Sequence, residues 1–247
     1  MPMPVDRTPL ENLNCQYAFY FHPQGQPPLL VHNCTRFASA SIIKVPVLLA
    51  WNVLERQGEV DRAELCRLDD EPQVQGSGLS WMLRSRQLPF QDVLLLMMAL
   101  SDNLCTNLVI QHIGMERLNA IFRQELGLED TVIQRKMRDF EARLRGLDNW
   151  ITVSDAIHLF DLVHNLSPEE KAWIEPMLLA NQDNRLLKRD LPSDTLDFFH
   201  KTGWIPGILH DWGYTRGCDI FLFTQQVKDE PAAFRVFGEL GNLMVAS

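Results

Sequence analysis

At 247 residues, with 46% hydrophobic and 22% charged residues, the chain has the make-up of an ordinary globular protein, and it is long enough to bury a full core. A net charge of −9 excludes a general nucleic-acid binder, because phosphate recognition needs clustered positive charge. No apolar run reaches the ~18 residues of a membrane-spanning helix, and the longest, 42–51 and 93–100, have the length of core helices.

Residues 1–7 contain no apolar leader core, so the chain as written reads as cytoplasmic, or as periplasmic or secreted if a leader has been removed. The five cysteines (15, 34, 66, 105 and 218) include no Cys-x-x-Cys pair, which gives no zinc spacing and no disulfide framework; free thiols fit best, with one disulfide left open. His22, His32, His112, His158, His164, His200 and His210 form no ligand-spaced cluster, so neither a metal nor a cofactor is expected.

Taken in order, 16–21 and 29–33 flank a Pro- and Gly-rich turn and predict an antiparallel hairpin. A helix is expected from Ser41 to about Gln57, closed by Gly58. Residues 61–75 are polar and loop-like, and from Gly78 to Gly146 the pattern is mainly helical. Leu79, Met82 and Leu83 share one face, a helix begins at Pro89, and further helices end at Gly114 and Gly127. Residues 132–147 are mixed and basic, with no clean period; two more helices cover 157–163 and 168–180. Beyond Pro192 the period changes to strands at 196–203, 211–216 and 220–227, and 231–245 closes the chain as one amphipathic helix. The economical arrangement is α+β, with an antiparallel sheet from both termini (about 14–40 and 195–247), a helical region inserted between them (about 41–194), and one domain over 1–247.

Three short motifs carry chemistry. Ser41 and Lys44 form a Ser-x-x-Lys at the start of the first apolar helix. Spacing of i and i+3 puts hydroxyl and amine on one face, where burial can lower the lysine pKa enough for it to take the serine proton. Alone, this is also a serine near a helix start and a snorkelling lysine. Ser101-Asp102-Asn103 opens a helix and reads equally as an N-cap. Lys201-Thr202-Gly203 lies on a strand, where the plain reading is a solvated edge with a guarding lysine.

Together, in this order and about sixty and then a hundred residues apart, the three motifs resemble those of the class A β-lactamases and penicillin-binding proteins. Gly76-Ser77-Gly78 and Asn184-Arg185-Leu186 fit the family's spacing, and the resemblance covers nearly the whole chain. It implies a β-lactamase/transpeptidase-like fold and acyl transfer involving a small β-lactam or D-alanyl-peptide-like substrate. A monomer is expected, with no nucleic-acid partner and no membrane span. Ser41 would be the nucleophile and Lys44 its base, with Ser101 relaying a proton and Lys201 tuning it. Asn103 would hold Lys44 and the substrate amide, and Lys201 and Thr202 the substrate carboxylate; Gly203 and Trp204 belong to the same strand. Backbone N–H groups of Ser41 and Trp204 would form the oxyanion hole.

The family hydrolyses its acyl-enzyme with a water activated by a loop glutamate. Anchoring on Gly127, Thr131 and Arg135 places that position at Met137, which cannot be a base; Asp139 and Glu141 are the alternatives. The expectation is acylation with slow or atypical deacylation. A peptidase or esterase on the same fold, and a β-lactam-binding protein that acylates without turnover, are the competing readings. His210-Asp211 is expected to shape a turn.

Overall fold

The computed structural model describes residues 8–192 and 195–246. In chain order it runs α1 (Thr8–Asn12), β1 (Gln16–Pro23), β2 (Leu29–His32), β3 (Arg36–Ala38), a 3₁₀ turn (Ala40–Ile43) and α2 (Lys44–Arg56). There follow β4 (Leu65–Arg67), a second 3₁₀ turn (Ser80–Met82), β5 (Gln87–Pro89), α3 (Phe90–Ala99), α4 (Asn103–Ile113), α5 (Met115–Gln124) and α6 (Phe140–Leu144). The chain then forms β6 (Trp150–Thr152), α7 (Val153–His164), α8 (Pro168–Leu179), β7 (Phe199–Ile205), β8 (Ile208–Tyr214), β9 (Cys218–Gln225), α9 (Glu230–Gly241) and α10 (Leu243–Ala246).

The α+β arrangement is as expected: β2-β1-β9-β8-β7 form one antiparallel sheet from the two ends of the chain, with the helices between them in sequence. Alternate residues of its strands enter two cores. Ala18, Tyr20, Trp212, Phe221 and Phe223 pack with α2, α3, α4, α5 and α7 on one face. Phe19, Phe21, Leu209, Ile220 and Leu222 pack with α1 and α9 on the other. Because both faces are covered, β1 and β9 read as near-continuous apolar runs instead of alternating ones.

Inside the first core lies α2, buried at every position from Lys44 to Leu54 and apolar there except for Lys44 and Asn52. Pro46 sits in its first turn, where a missing N–H costs nothing. No two of the five cysteines are paired as a disulfide, and four of them are buried. Among the described residues no helix is long and apolar enough to cross a membrane.

Several local expectations are corrected. Ser41 starts no α-helix: it lies in the 3₁₀ turn that precedes Lys44, after a residue of positive φ, Ala40 (45°). Leu79–Leu83 make one 3₁₀ turn, because Leu79 and Ser80 are pinned to Asp102. The strand expected at 196–203 begins at Phe199 and extends through Trp204 and Ile205, and Pro206 and Gly207 turn it into β8. The closing helix is broken at Asn242. His210 and Asp211 lie in mid-strand, fully buried, and shape no turn. Unforeseen are α1 and the ribbons β3–β6 and β4–β5, each strand only three residues long and so without a readable period. The expected end of the helical region at residue 194 falls outside the described residues.

Candidate active site

The 3₁₀ turn brings Ser41 above Lys44, since three residues per turn make positions i and i+3 eclipse. Ser41 is half-exposed and lines a cavity of about 260 Å³, together with Gly76, Ser77, Asn103, Met137, Arg138, Trp204 and Ile205 among others. A roomier hollow of about 590 Å³ at Asn52, Arg62 and Trp173 contains no residue of the three motifs.

Lys44 is fully buried behind the serine. Its Nζ donates to Ser101 O at 2.6 Å, to Ser101 Oγ at 2.9 Å and, more loosely, to Asn103 Oδ1 at 3.5 Å. None of these partners is a carboxylate. Burial first, and then the charge of Lys201, hold the Lys44 ammonium well below the usual lysine range, so the free amine is strongly favoured relative to an exposed lysine.

The corner that carries Ser101 is fixed by its neighbour. The buried Asp102 carboxylate caps α4 through Cys105 N (3.0 Å) and also accepts from Leu79 N, Ser80 N and Ser80 Oγ at 2.7–2.8 Å. A Cβ on Gly78 (φ +83°) would stand 2.1 Å from Asp102 Oδ2, so only glycine lets the 76–80 loop close on this corner. Ser101 itself has φ 53°, a conformation a non-glycine residue keeps only when its surroundings impose it. The N-cap reading of Ser-Asp-Asn therefore holds for its middle residue, while its two flanking residues face Lys44.

On the other side stands the edge strand β7. Lys201 is fully buried, which excludes the solvated-edge reading; its Nζ donates to Thr202 O at 2.8 Å. Burial lowers its pKa to about 8, against the opposing charges of Asp183 and Asp211. Thr202 Oγ1 donates to Asp183 Oδ2 at 3.4 Å, and Asp183 is in turn clamped by Arg185 Nε at 2.7 Å. Gly203 is where strand and turn meet: a Cβ there would stand 3.1 Å from Ser41 N. Trp204 is 43% exposed at the cavity rim, its ring under the Arg185 guanidinium at 4.7 Å.

The third wall is the 135–143 segment. Asn107, one turn along α4 from Asn103, accepts from Met137 N at 2.7 Å and donates to Met137 O at 3.2 Å, which holds Met137 at the cavity wall. Asp139 caps α6 through Ala142 N, Glu141 is exposed, and neither lines the cavity.

The structure thus gathers Ser41, Lys44, Ser101, Asn103, Lys201, Thr202, Gly203 and Trp204 around one cleft. Among the described residues no hydrogen bond joins Ser41 Oγ to Lys44, or Lys201 to Ser101. Sequence reasoning missed Asp183, which has no local signature, and the buried pair of His200 Nδ1 with Asp211 Oδ1 at 2.9 Å. The second Asp211 oxygen accepts from Leu187 N at 3.1 Å, so the pair ties β7 and β8 to the 183–187 segment beneath Lys201. His210 bonds Ala38 O through Nε2 at 2.9 Å and braces the strand leading to Ser41, with its pKa driven down to about 4 by burial.

Residues 10–246 match the model of a family described as the β-lactamase enzyme family. No curated protein matches the chain. Among solved structures it is similar to a β-lactamase from Sphaerobacter thermophilus, with 24% identity over 96% of both chains and a TM-score of 0.82. It is similar also to PBP-A, with 24% identity over 98% of this chain and 96% of the other (TM-score 0.81). An ancestral class A β-lactamase shares 19% identity over 97% and 96%, with a TM-score of 0.84.

Proposed function

The chain belongs to the β-lactamase enzyme family, and from that premise we propose that it is a class A-like serine hydrolase that opens the β-lactam amide through an acyl-enzyme on Ser41 and deacylates slowly. The observation that carries this reading is the buried Lys44 amine, eclipsed with Ser41 and hydrogen-bonded to Ser101. Ser41 Oγ attacks the carbonyl carbon while its proton passes to Lys44, directly or through a water. The C–N bond then breaks as Ser101 Oγ delivers a proton to the departing nitrogen and is reprotonated from Lys44. Backbone N–H groups of Ser41 and Trp204 hold the oxyanion, which accounts for a glycine at 203, where the strand must come close to the Ser41 backbone. Lys201, with Thr202, takes the substrate carboxylate, and Asn103 takes the amide on its acyl side. All of these roles draw on both ends of the chain at once, so 1–247 acts as a single domain.

Slow deacylation follows from the third wall. Met137 is held there through its backbone, and a thioether cannot activate water; Asp139 and Glu141 lie off the cavity. The same observation favours a second reading, a β-lactam-binding protein that acylates without turnover. Intact-protein mass spectrometry after mixing with benzylpenicillin, beside a Ser41→Ala control, tests the proposal. An adduct of one drug mass present only in the parent protein supports it. No adduct in either would overturn it in favour of a peptidase or esterase.

A further inference from the structure

One charged group in the cavity takes no part in the chemistry above. The 135–143 wall carries three arginines, of which two share one carboxylate: Arg135 and Arg143 both pair with Asp148, at 2.7 Å and 3.2 Å. Arg138 is different. Among the described residues no carboxylate stands within ion-pair distance of its guanidinium, which lies 4.6 Å over the Phe140 ring. Its backbone has φ 66°, a left-handed conformation that a residue with a side chain keeps only where its surroundings hold it. Gly76 lets it come close to Asn103: a Cβ there would be crowded at 3.3 Å by Arg138 Nε and Cζ and also at 3.3 Å by Asn103 Nδ2. The guanidinium and Asn103 thus both pack against Gly76 and line the cavity that also contains Ser41. A cation with no carboxylate partner, stacked on an aromatic ring and lining the same cavity as the nucleophile, is a group with which a substrate anion can pair.

We propose that Arg138, propped on Phe140, is a specificity residue that selects substrates carrying a carboxylate on the acyl side of the scissile amide. This rests on the acylation reading above and on Asn103 marking the acyl side. The substrate would then be anionic at both ends, with one carboxylate on Lys201 and Thr202 and a second on Arg138. Arginine suits the second position because its planar fork meets a carboxylate with two parallel hydrogen bonds, and its stacking on Phe140 limits the freedom lost when it does so.

Benzylpenicillin and carbenicillin differ by one carboxylate on the benzyl carbon and so isolate this contact. The second-order acylation rates of both are measured by time-resolved intact mass on the parent protein, Arg138→Ala and Arg138→Lys. Dissociation constants are measured on Ser41→Ala and on Ser41→Ala/Arg138→Ala. The parent is expected to prefer carbenicillin by about fivefold, the scale of one solvent-accessible charge pair. That preference falls toward one in Arg138→Ala, is partly kept in Arg138→Lys, and shrinks with added salt wherever the positive charge at 138 remains. Acylation by both penicillins with no preference, or with a preference that survives Arg138→Ala, overturns the receptor and leaves the acylation reading standing. Absent acylation, a carbenicillin preference in Ser41→Ala that disappears in the double variant upholds the receptor while the acylation reading fails. Absent acylation and absent preference overturn both.

Discussion

The two sides of the cleft differ in how firmly they are held. On one side Lys44 and Lys201 are fully buried, Asp102 accepts four hydrogen bonds, and Gly78 and Gly203 permit backbone approaches that no other residue would. On the other, the 135–143 segment carries exposed arginines and an exposed Phe140, and Met137 is held by backbone bonds to Asn107 and by a side chain packed into the core. On the reading proposed above, the first side supplies what acylation asks for: Ser41 as nucleophile, Lys44 as base and Ser101 as proton relay. Among the described residues of the second side that line the cavity there is no carboxylate or histidine to activate a water. Acyl transfer and acyl hydrolysis are separate demands, and on that reading the protein meets them unequally.

The largest expected effect comes from dismantling the first side. Lys44→Met keeps the apolar stem and removes the base, and should slow formation of the penicillin adduct by about 10²–10⁴-fold, with an unchanged far-UV circular dichroism spectrum. Next, Met137→Glu supplies the second side with a base and should shorten the acyl-enzyme lifetime at least about a hundredfold, read as decay of the adduct mass. The pH profile sharpens the contrast further. Lys44 must be neutral, so acylation rises with pH on the acid side as it loses its proton. Lys201 must be charged to hold a carboxylate; with its pKa lowered to about 8, acylation falls again as pH rises through that value. By pH 9 the loss is about tenfold, and Lys201→Arg should move the alkaline limb up by two pH units or more. The smallest effect is expected at Asp139→Asn and Glu141→Gln. Both lie off the cavity, and each should change the adduct lifetime by less than about twofold.

Much of the first side was legible in the sequence, because its motifs are contiguous and each sits at an element boundary. Ser-x-x-Lys precedes an apolar helix, Ser-Asp-Asn caps another, and Lys-Thr-Gly lies on a strand. What stayed hidden depends on tertiary contacts. The 3₁₀ conformation at Ser41 differs from an α-helical start by one turn, which no hydrophobic period over four residues can register. Asp183 and the His200–Asp211 pair reach the site only through the crossing of β7, β8 and the 183–187 segment. His210 and Asp211, seven and eight residues into the chain after Gly203, read as a turn because the expected strand starts only at 211, whereas the reversal at Pro206 and Gly207 starts it at Ile208. On the second side the anchors Gly127, Thr131 and Arg135 favour Met137 over Asp139 and Glu141, while the Asn107 contacts and the Asp139 cap on α6 can be seen only in three dimensions.

The lifetime of the acyl-enzyme tests the central claim most directly. The protein is mixed with benzylpenicillin, freed of excess drug within seconds, and followed by intact mass at pH 7. An adduct that persists from minutes to hours, and is absent from Ser41→Ala, is the predicted result. An adduct that disappears at around 10 per second, the pace of an ordinary enzyme, would contradict it and show that an unrecognised base serves the 135–143 wall.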